Sequence, residues 1–238
     1  MRQPTVPEAC SSTSCLKVSS MPSRLPEHQS VQGAEPVVLV VEDDPLVRGS
    51  MDSFFRSAGL RSKCYASARE VLDEAFPETV CCIVLDVRLP QLSGLDLQAE
   101  LSRRGCSIPI VFVTGHGDIP MSVKAMKAGA VDFLAKPFRD QDMLDAVTAA
   151  LAKDRIRRES EAGSQLVRSR VATLTARESQ VMKLVVSGLL NKQIAGELGL
   201  SEVTVKLHRS AVMRKMEART LADLVRMAEM LERGASPS

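Results

Sequence analysis

Long apolar runs are missing from this chain. The longest, such as Val37 to Val41, are too short to cross a bilayer, which argues against a helical membrane span. The first residues also lack the apolar core of a secretory signal, so export is not indicated. Metal-site spacing is missing too. Of the six cysteines, Cys10 and Cys15 fall in a polar stretch, Cys81 and Cys82 are adjacent, and no pair has C-x-x-C or Cys/His spacing. Free thiols in a reducing cytoplasm are the expectation. What remains, 45% hydrophobic and 25% charged residues over 238 positions, is ordinary globular composition at a length that favours two compact units over one.

Nor does the whole chain carry a marked charge of one sign, but its net +2 hides an asymmetry. Residues 36–152 hold 12 Lys+Arg against 16 Asp+Glu, a balance of −4, whereas residues 165–238 hold 12 against 7, a balance of +5. An acidic half and a basic half point to different partners: a cation or phosphate in one, nucleic acid in the other.

Residues 1–35 are rich in Ser and Pro, include Ser11-Ser12-Thr13-Ser14 and show no periodicity, so a disordered tail is expected, with Met21 a candidate true start. From Val37 onward, short β-branched runs alternate with amphipathic segments, the pattern of βα units around a buried parallel sheet. Strands are predicted at Val37 to Val41, Arg61 to Tyr65, Cys82 to Leu85, Ile110 to Val113 and Asp132 to Ala135. Helices are predicted at Pro45 to Ala58, Ala66 to Ala75, Leu95 to Arg104 and Ile119 to Ala128, with a fifth from Arg139 to at least Leu151. The fold class is thus a doubly wound five-stranded parallel sheet, flavodoxin-like, over residues 36–152. Residues 153–171 are charged, lack an apolar stripe and contain Gly163-Ser164, which reads as a helix extension fading into a linker. Residues 172–238 form an all-α unit with helices at Ala176 to Val186, Asn191 to Leu198, Glu202 to Met216 and Leu221 to Leu231.

In a doubly wound sheet, ligand chemistry gathers beyond the carboxyl ends of the strands. There the sequence places Glu42 and Asp43 after the first strand, Asp86 at the third, Thr114 at the fourth and Lys136 at the fifth. Carboxylates converging in one cleft repel each other unless a divalent cation or an ammonium offsets them. Mg²⁺ suits the set, with Asp43 and Asp86 as direct ligands, Asp86 as nucleophile toward a phosphoryl group, Lys136 neutralising transferred charge and Thr114 supplying a hydroxyl. Taken singly, Asp44 before Pro45 reads as a helix cap, Thr114 as a loop residue, Phe133 as core and Lys136 as a solvated charge. Their co-occurrence at four strand ends in order gives the phosphoryl site.

Four stretches carry a family likeness: Val40-Val41-Glu42-Asp43-Asp44-Pro45, Leu85-Asp86-Val87-Arg88-Leu89-Pro90, Val113-Thr114-Gly115-His116 and Ala135-Lys136-Pro137-Phe138. Over roughly residues 37–152 the chain resembles the receiver domain of bacterial two-component response regulators, with Thr114 to Pro120 and Ala125 to Ala130 particularly similar to the FixJ-type subgroup. The resemblance implies that Asp86 is the phosphoacceptor and that Glu42 and Asp43 are the acidic pair. It also implies that the backbone carbonyl of Arg88 is a third protein ligand of Mg²⁺, that the Lys136–Pro137 bond is cis and that Phe133 is the switch aromatic. Glu42 stands where the family often has Asp. His116 and Arg88, each two residues past a site residue, are candidates for tuning dephosphorylation.

In the basic half, Asn191 to Leu198, the turn Gly199-Leu200-Ser201 and the helix from Glu202 have helix-turn-helix organisation. Val205, Val212 and Met216 form the expected core stripe, leaving Thr204, Lys206, Leu207 and Ser210 toward a groove and Arg209 or Lys215 to reach phosphates, with Lys192 a further DNA-binding candidate. Residues 172–232 resemble the LuxR/NarL-type DNA-binding domain, whose last helix is the usual dimerisation element; Leu190 departs from the Ser common there. The resemblance implies a transcription factor rather than an enzyme, phosphorylated by a sensor histidine kinase. It further implies homodimers formed on phosphorylation, double-stranded promoter DNA and RNA polymerase as partners, and no membrane. Two other readings are a Mg²⁺-dependent phosphohydrolase, opposed by Arg88 where a second acid is needed, and a receiver that works without phosphorylation, opposed by the complete site.

Overall fold

The computed structural model describes residues 35–115 and 119–233. The expectations placed on the first 34 residues, on Met21 and on His116 lie outside them. Among the described residues the order is β1 (Val37–Val41), α1 (Pro45–Ser57), β2 (Arg61–Tyr65), α2 (Ala68–Asp73), β3 (Cys81–Asp86), α3 (Gly94–Arg103), β4 (Ile110–Thr114), α4 (Ile119–Lys127), β5 (Asp132–Ala135) and α5 (Asp140–Ala172). Four more helices follow: α6 (Ala176–Val186), α7 (Asn191–Leu198), α8 (Glu202–Lys215) and α9 (Leu221–Arg233).

The sheet is parallel throughout, with strand order β2-β1-β3-β4-β5. Every residue of β1, β3 and β4 is buried, as near-continuous apolar strands require when helices cover both faces. Alternate side chains go to opposite faces. Leu39, Ile83, Leu85 and Phe112 pack with Val71, Leu97, Leu101 and Ala125 of α2, α3 and α4. Val38, Val40, Val84, Val111 and Val113 pack with Met51 and Phe55 of α1 and Met143, Ala146, Val147 and Ala150 of α5. A third core, built from Val181, Val185, Ile194, Val205, Val212, Met216 and Leu224, belongs to the helical unit and takes Val167 of α5.

Local chemistry sets the helix starts. Asp44 caps α1, accepting from the amides of Leu46 at 2.8 Å and Val47 at 3.3 Å, with Pro45 at the first helical position. Helix α2 is shorter than the sequence predicts because Ser67 caps it and Glu74 is already extended. Gly94 opens α3 against the end of β3: a Cβ there would lie 2.3 Å from the Asp86 carbonyl oxygen, so no larger residue fits.

The largest departure from expectation is α5. Instead of fading after Leu151 it continues to Ala172 as one helix of 33 residues. Gly163 weakens a helix interior by only about 1 kcal/mol, and two tertiary anchors outweigh it. One is Val167 in the third core. The other is Asp154, fully buried, which accepts from the Cys81 amide at 2.9 Å and from Arg157 and Arg158 at 2.6 and 2.7 Å, while Arg158 also donates to the Pro77 and Glu78 carbonyls.

Candidate phosphoryl-acceptor site and nucleic-acid interface

Strand register assembles the first site. Val41 pairs with Leu85, Asp86 with Val113 and Thr114 with Ala135, so Glu42, Asp86, Thr114 and Lys136 emerge side by side at the carboxyl edge. The Lys136 ammonium donates to Glu42 Oε2 at 2.6 Å and to Asp86 Oδ2 at 2.7 Å. The Arg88 amide donates to Asp86 Oδ1 at 2.8 Å and fixes the carboxylate from its other side. Thr114 is fully buried, and its carbonyl accepts from the Lys136 amide at 2.7 Å. The Lys136–Pro137 peptide bond is cis. Half-buried Phe133 lies 6.3 Å from Phe112, ring centre to ring centre.

Glu42, Asp43 and Asp86 each present a carboxylate oxygen, and the three lie within 4.8 Å of one another. Burial pushes the Glu42 carboxyl above its ordinary range, and the nearby Asp86 charge adds to this against the lowering pull of Lys136. For Lys136 burial works downward, but its hydrogen bonds to Asp86 and Glu42 prevail and hold the ammonium above its ordinary range. Three carboxylates meet one ammonium here, a formal surplus of negative charge. Arg48, which sequence reasoning passed over, donates to the carbonyls of Glu42 at 2.7 Å and Asp43 at 3.0 Å and braces the acidic pair from α1. Nothing marked it beforehand: it is one arginine among many at an unremarkable helical phase.

In the helical unit, α7 ends in Gly199 with φ 64, and Ser201 caps α8 by accepting from the Thr204 amide at 3.1 Å. Val205, Val212 and Met216 are buried, as their spacing predicts. Lys206, Leu207 and Ser210 are exposed on α8 and Lys192 is exposed on α7, whereas half-buried Thr204 has its hydroxyl against that of Ser201. Arg209 donates to Asn191 at 3.1 Å and so bridges the two helices. The Lys215 ammonium donates to Glu178 at 2.6 Å and to the Thr173 carbonyl at 3.0 Å, so it ties α8 to the start of α6. Sequence reasoning also missed Val203, which is exposed on the same face as Leu207.

Residues 38–148 match the profile of the response regulator receiver domain, and residues 172–228 match that of the bacterial regulatory proteins of the luxR family. Nodulation protein W of Bradyrhizobium diazoefficiens is 58% identical over 195 residues, 82% of this chain and 86% of that one. The chain is a two-component response regulator. It is of the FixJ/NarL type: transcriptional regulatory protein FixJ of Azorhizobium caulinodans is 43% identical over 218 residues, 92% of this regulator and 97% of that one. The solved structure of the response regulator StyR superposes with a TM-score of 0.73 at 47% identity, covering 82% of this regulator and 99% of that chain. Its relatives make this regulator a transcription factor, not a metabolic enzyme, with a kinase and DNA as the implied kinds of partner. Among the described residues no helix is long and apolar enough to cross a membrane.

Proposed function

We propose that Asp86 accepts a phosphoryl group from a sensor histidine kinase, and that this promotes dimerisation, binding to paired half-sites on double-stranded promoter DNA and control of RNA polymerase in the cytoplasm. The observation that carries the reading is the meeting of Asp86, Lys136, Thr114 and the Glu42–Asp43 pair at one sheet edge. The donor set is all carboxylate oxygen and carries surplus negative charge, which fits Mg²⁺. Glu42, Asp43 and Asp86 would hold it, with the Arg88 carbonyl as the further ligand that the family resemblance implies. When bound, Mg²⁺ supplies positive charge against the phosphoryl oxygens.

The chain's own groups do the rest. The Asp86 carboxylate, held by the Arg88 amide, attacks phosphorus; the P–N bond to the kinase histidine breaks, its electron pair stays on the imidazole, and a P–O bond forms as an acyl phosphate. Lys136 is already beside the nucleophile and neutralises the added charge, the Thr114 hydroxyl bonds a phosphoryl oxygen, and Phe133 follows it inward. On the DNA side, Thr204, Lys206, Leu207 and Ser210 face the major groove, and Lys192 and Arg209 serve the phosphates.

The test compares wild type with Asp86→Asn, each with and without Mg²⁺ and beryllofluoride, reading molecular mass and DNA affinity. Wild type alone should gain dimer mass and affinity. Equal behaviour of the two proteins removes Asp86 as the trigger.

A further inference from the structure

Two of the three carboxylates at the sheet edge have donors of their own. Lys136 reaches both Glu42 and Asp86, and the Arg88 amide holds the other oxygen of Asp86. Among the described residues no donor reaches the carboxylate of Asp43, the one exposed member of the set. Its direction is therefore set by the backbone that carries it, in the turn between β1 and α1. On the β1 side the Glu42 amide donates to the Tyr65 carbonyl at 3.1 Å, and on the α1 side the Asp44 carbonyl accepts from the Arg48 amide at 2.9 Å. Between these bonds the carbonyls of Glu42 and Asp43 share one donor group, Arg48 Nη1, at 2.7 and 3.0 Å. That nitrogen bears an N–H for each carbonyl.

By charge alone this half-buried guanidinium works against a divalent cation in the same cleft. What it supplies instead is a fixed turn. The Glu42 carbonyl belongs to the peptide plane before Asp43 and the Asp43 carbonyl to the plane after it. Since a peptide unit is rigid, pinning both planes fixes the two backbone torsions of Asp43 and with them the direction of its side chain.

We propose that Arg48 is the positioning residue for Asp43: by holding the two peptide planes that flank it, Arg48 sets the carboxylate in place for Mg²⁺ before the ion arrives. The inference rests on the Mg²⁺ reading of the cleft and adds to it a cationic residue that is not itself a ligand.

The experiment titrates the full-length, unphosphorylated protein with Mg²⁺, reads Kd by amide NMR, and measures urea unfolding of each variant in Mg²⁺-free buffer. Groups that orient a metal ligand are commonly worth 10- to 100-fold in affinity, so Arg48→Met should weaken Mg²⁺ binding about tenfold. Arg48→Lys keeps a donor able to span both carbonyls and should return Kd to within about threefold of wild type. Asp43→Asn should itself weaken binding, and adding Arg48→Met to it should cost less than about twofold more, because the two act through one carboxylate. If Arg48→Met does not fold without Mg²⁺, the shorter Arg48→Gln takes its place in the cycle. An unchanged or lowered Kd for Arg48→Met overturns the inference, the first leaving Arg48 a purely structural brace and the second a charge that repels the ion. So does a lysine variant that binds no better than the methionine one, or a tenfold loss that persists in Asp43→Asn. Wild type that takes up no Mg²⁺ removes the Mg²⁺ reading of the site and this inference with it.

Discussion

Lys215 donates to Glu178, and Glu178 also accepts from the Thr175 amide at 2.7 Å, so one carboxylate closes the start of α6 and holds the end of α8. Those bonds, led by the one from Lys215, bring the Glu178 carboxyl down to about 2 from an ordinary 4.5. A carboxyl lowered on folding stabilises the folded state above its unfolded value and loses that contribution as pH falls toward its folded one. Glu178→Gln should therefore melt at lower temperature than wild type at pH 7, with the gap closing as pH drops from about 5 to about 2. Thermal melts across that range check it, and a gap independent of pH would show that the charge is not what matters. The contrast with Asp86 is instructive. Asp86 was legible because strand ends in a parallel sheet are ordered by topology, so residue type and order locate the cleft. Lys215 was not, because its partner lies on another helix and sequence phase alone leaves a basic residue free to point at DNA or at a neighbour.

At the scale of elements, the strands were readable nearly to the residue, since fully buried parallel strands leave compact apolar runs. Helix α5 was not, because its middle is held by polar contacts and lacks the apolar stripe that marks a packed helix. The contact that settles it, Asp154 on the Cys81 amide with two arginines around it, joins the helix to the first residue of β3, the strand that ends in Asp86. Burial works against the Asp154 carboxylate, but the Cys81 amide and the two guanidinium groups prevail and keep it below the ordinary range. Asp154→Ala leaves the Cys81 amide without this acceptor and takes one partner from each arginine, while Arg157 keeps Glu161 and Arg158 keeps the Pro77 and Glu78 carbonyls. It should reduce stability by about 3 kcal/mol, toward the lower end for a broken buried pair because the guanidinium groups reach solvent. Urea unfolding measures this. A loss below about 0.5 kcal/mol, the usual range for surface changes, would mean that the cluster is incidental.

On the scale of the whole molecule, α5 belongs to two cores at once, through Met143 to Ala150 in one and Val167 in the other; buried Asp154 lies between them, and residues 159–166 beyond it are exposed or half-buried. Gly163 sits in that stretch with open space where a Cβ would go. Gly163→Ala should raise stability by about 1 kcal/mol. Gly163→Pro should break the helix, so that calorimetry resolves separate receiver and DNA-binding transitions while the lifetime of phosphorylated Asp86 stays as in wild type. A single unchanged transition for the proline variant would show that α5 does not couple the two.

A continuous helix also constrains how such proteins can be recombined. Where a slack tether joins two modules, a crossover between genes tolerates almost any change in length; across α5, each inserted or deleted residue turns one module about 100° against the other and moves it about 1.5 Å. Viable exchanges of input and output modules should therefore preserve helical phase at the junction, and lineages carrying this connector should accumulate length changes there in steps of whole turns.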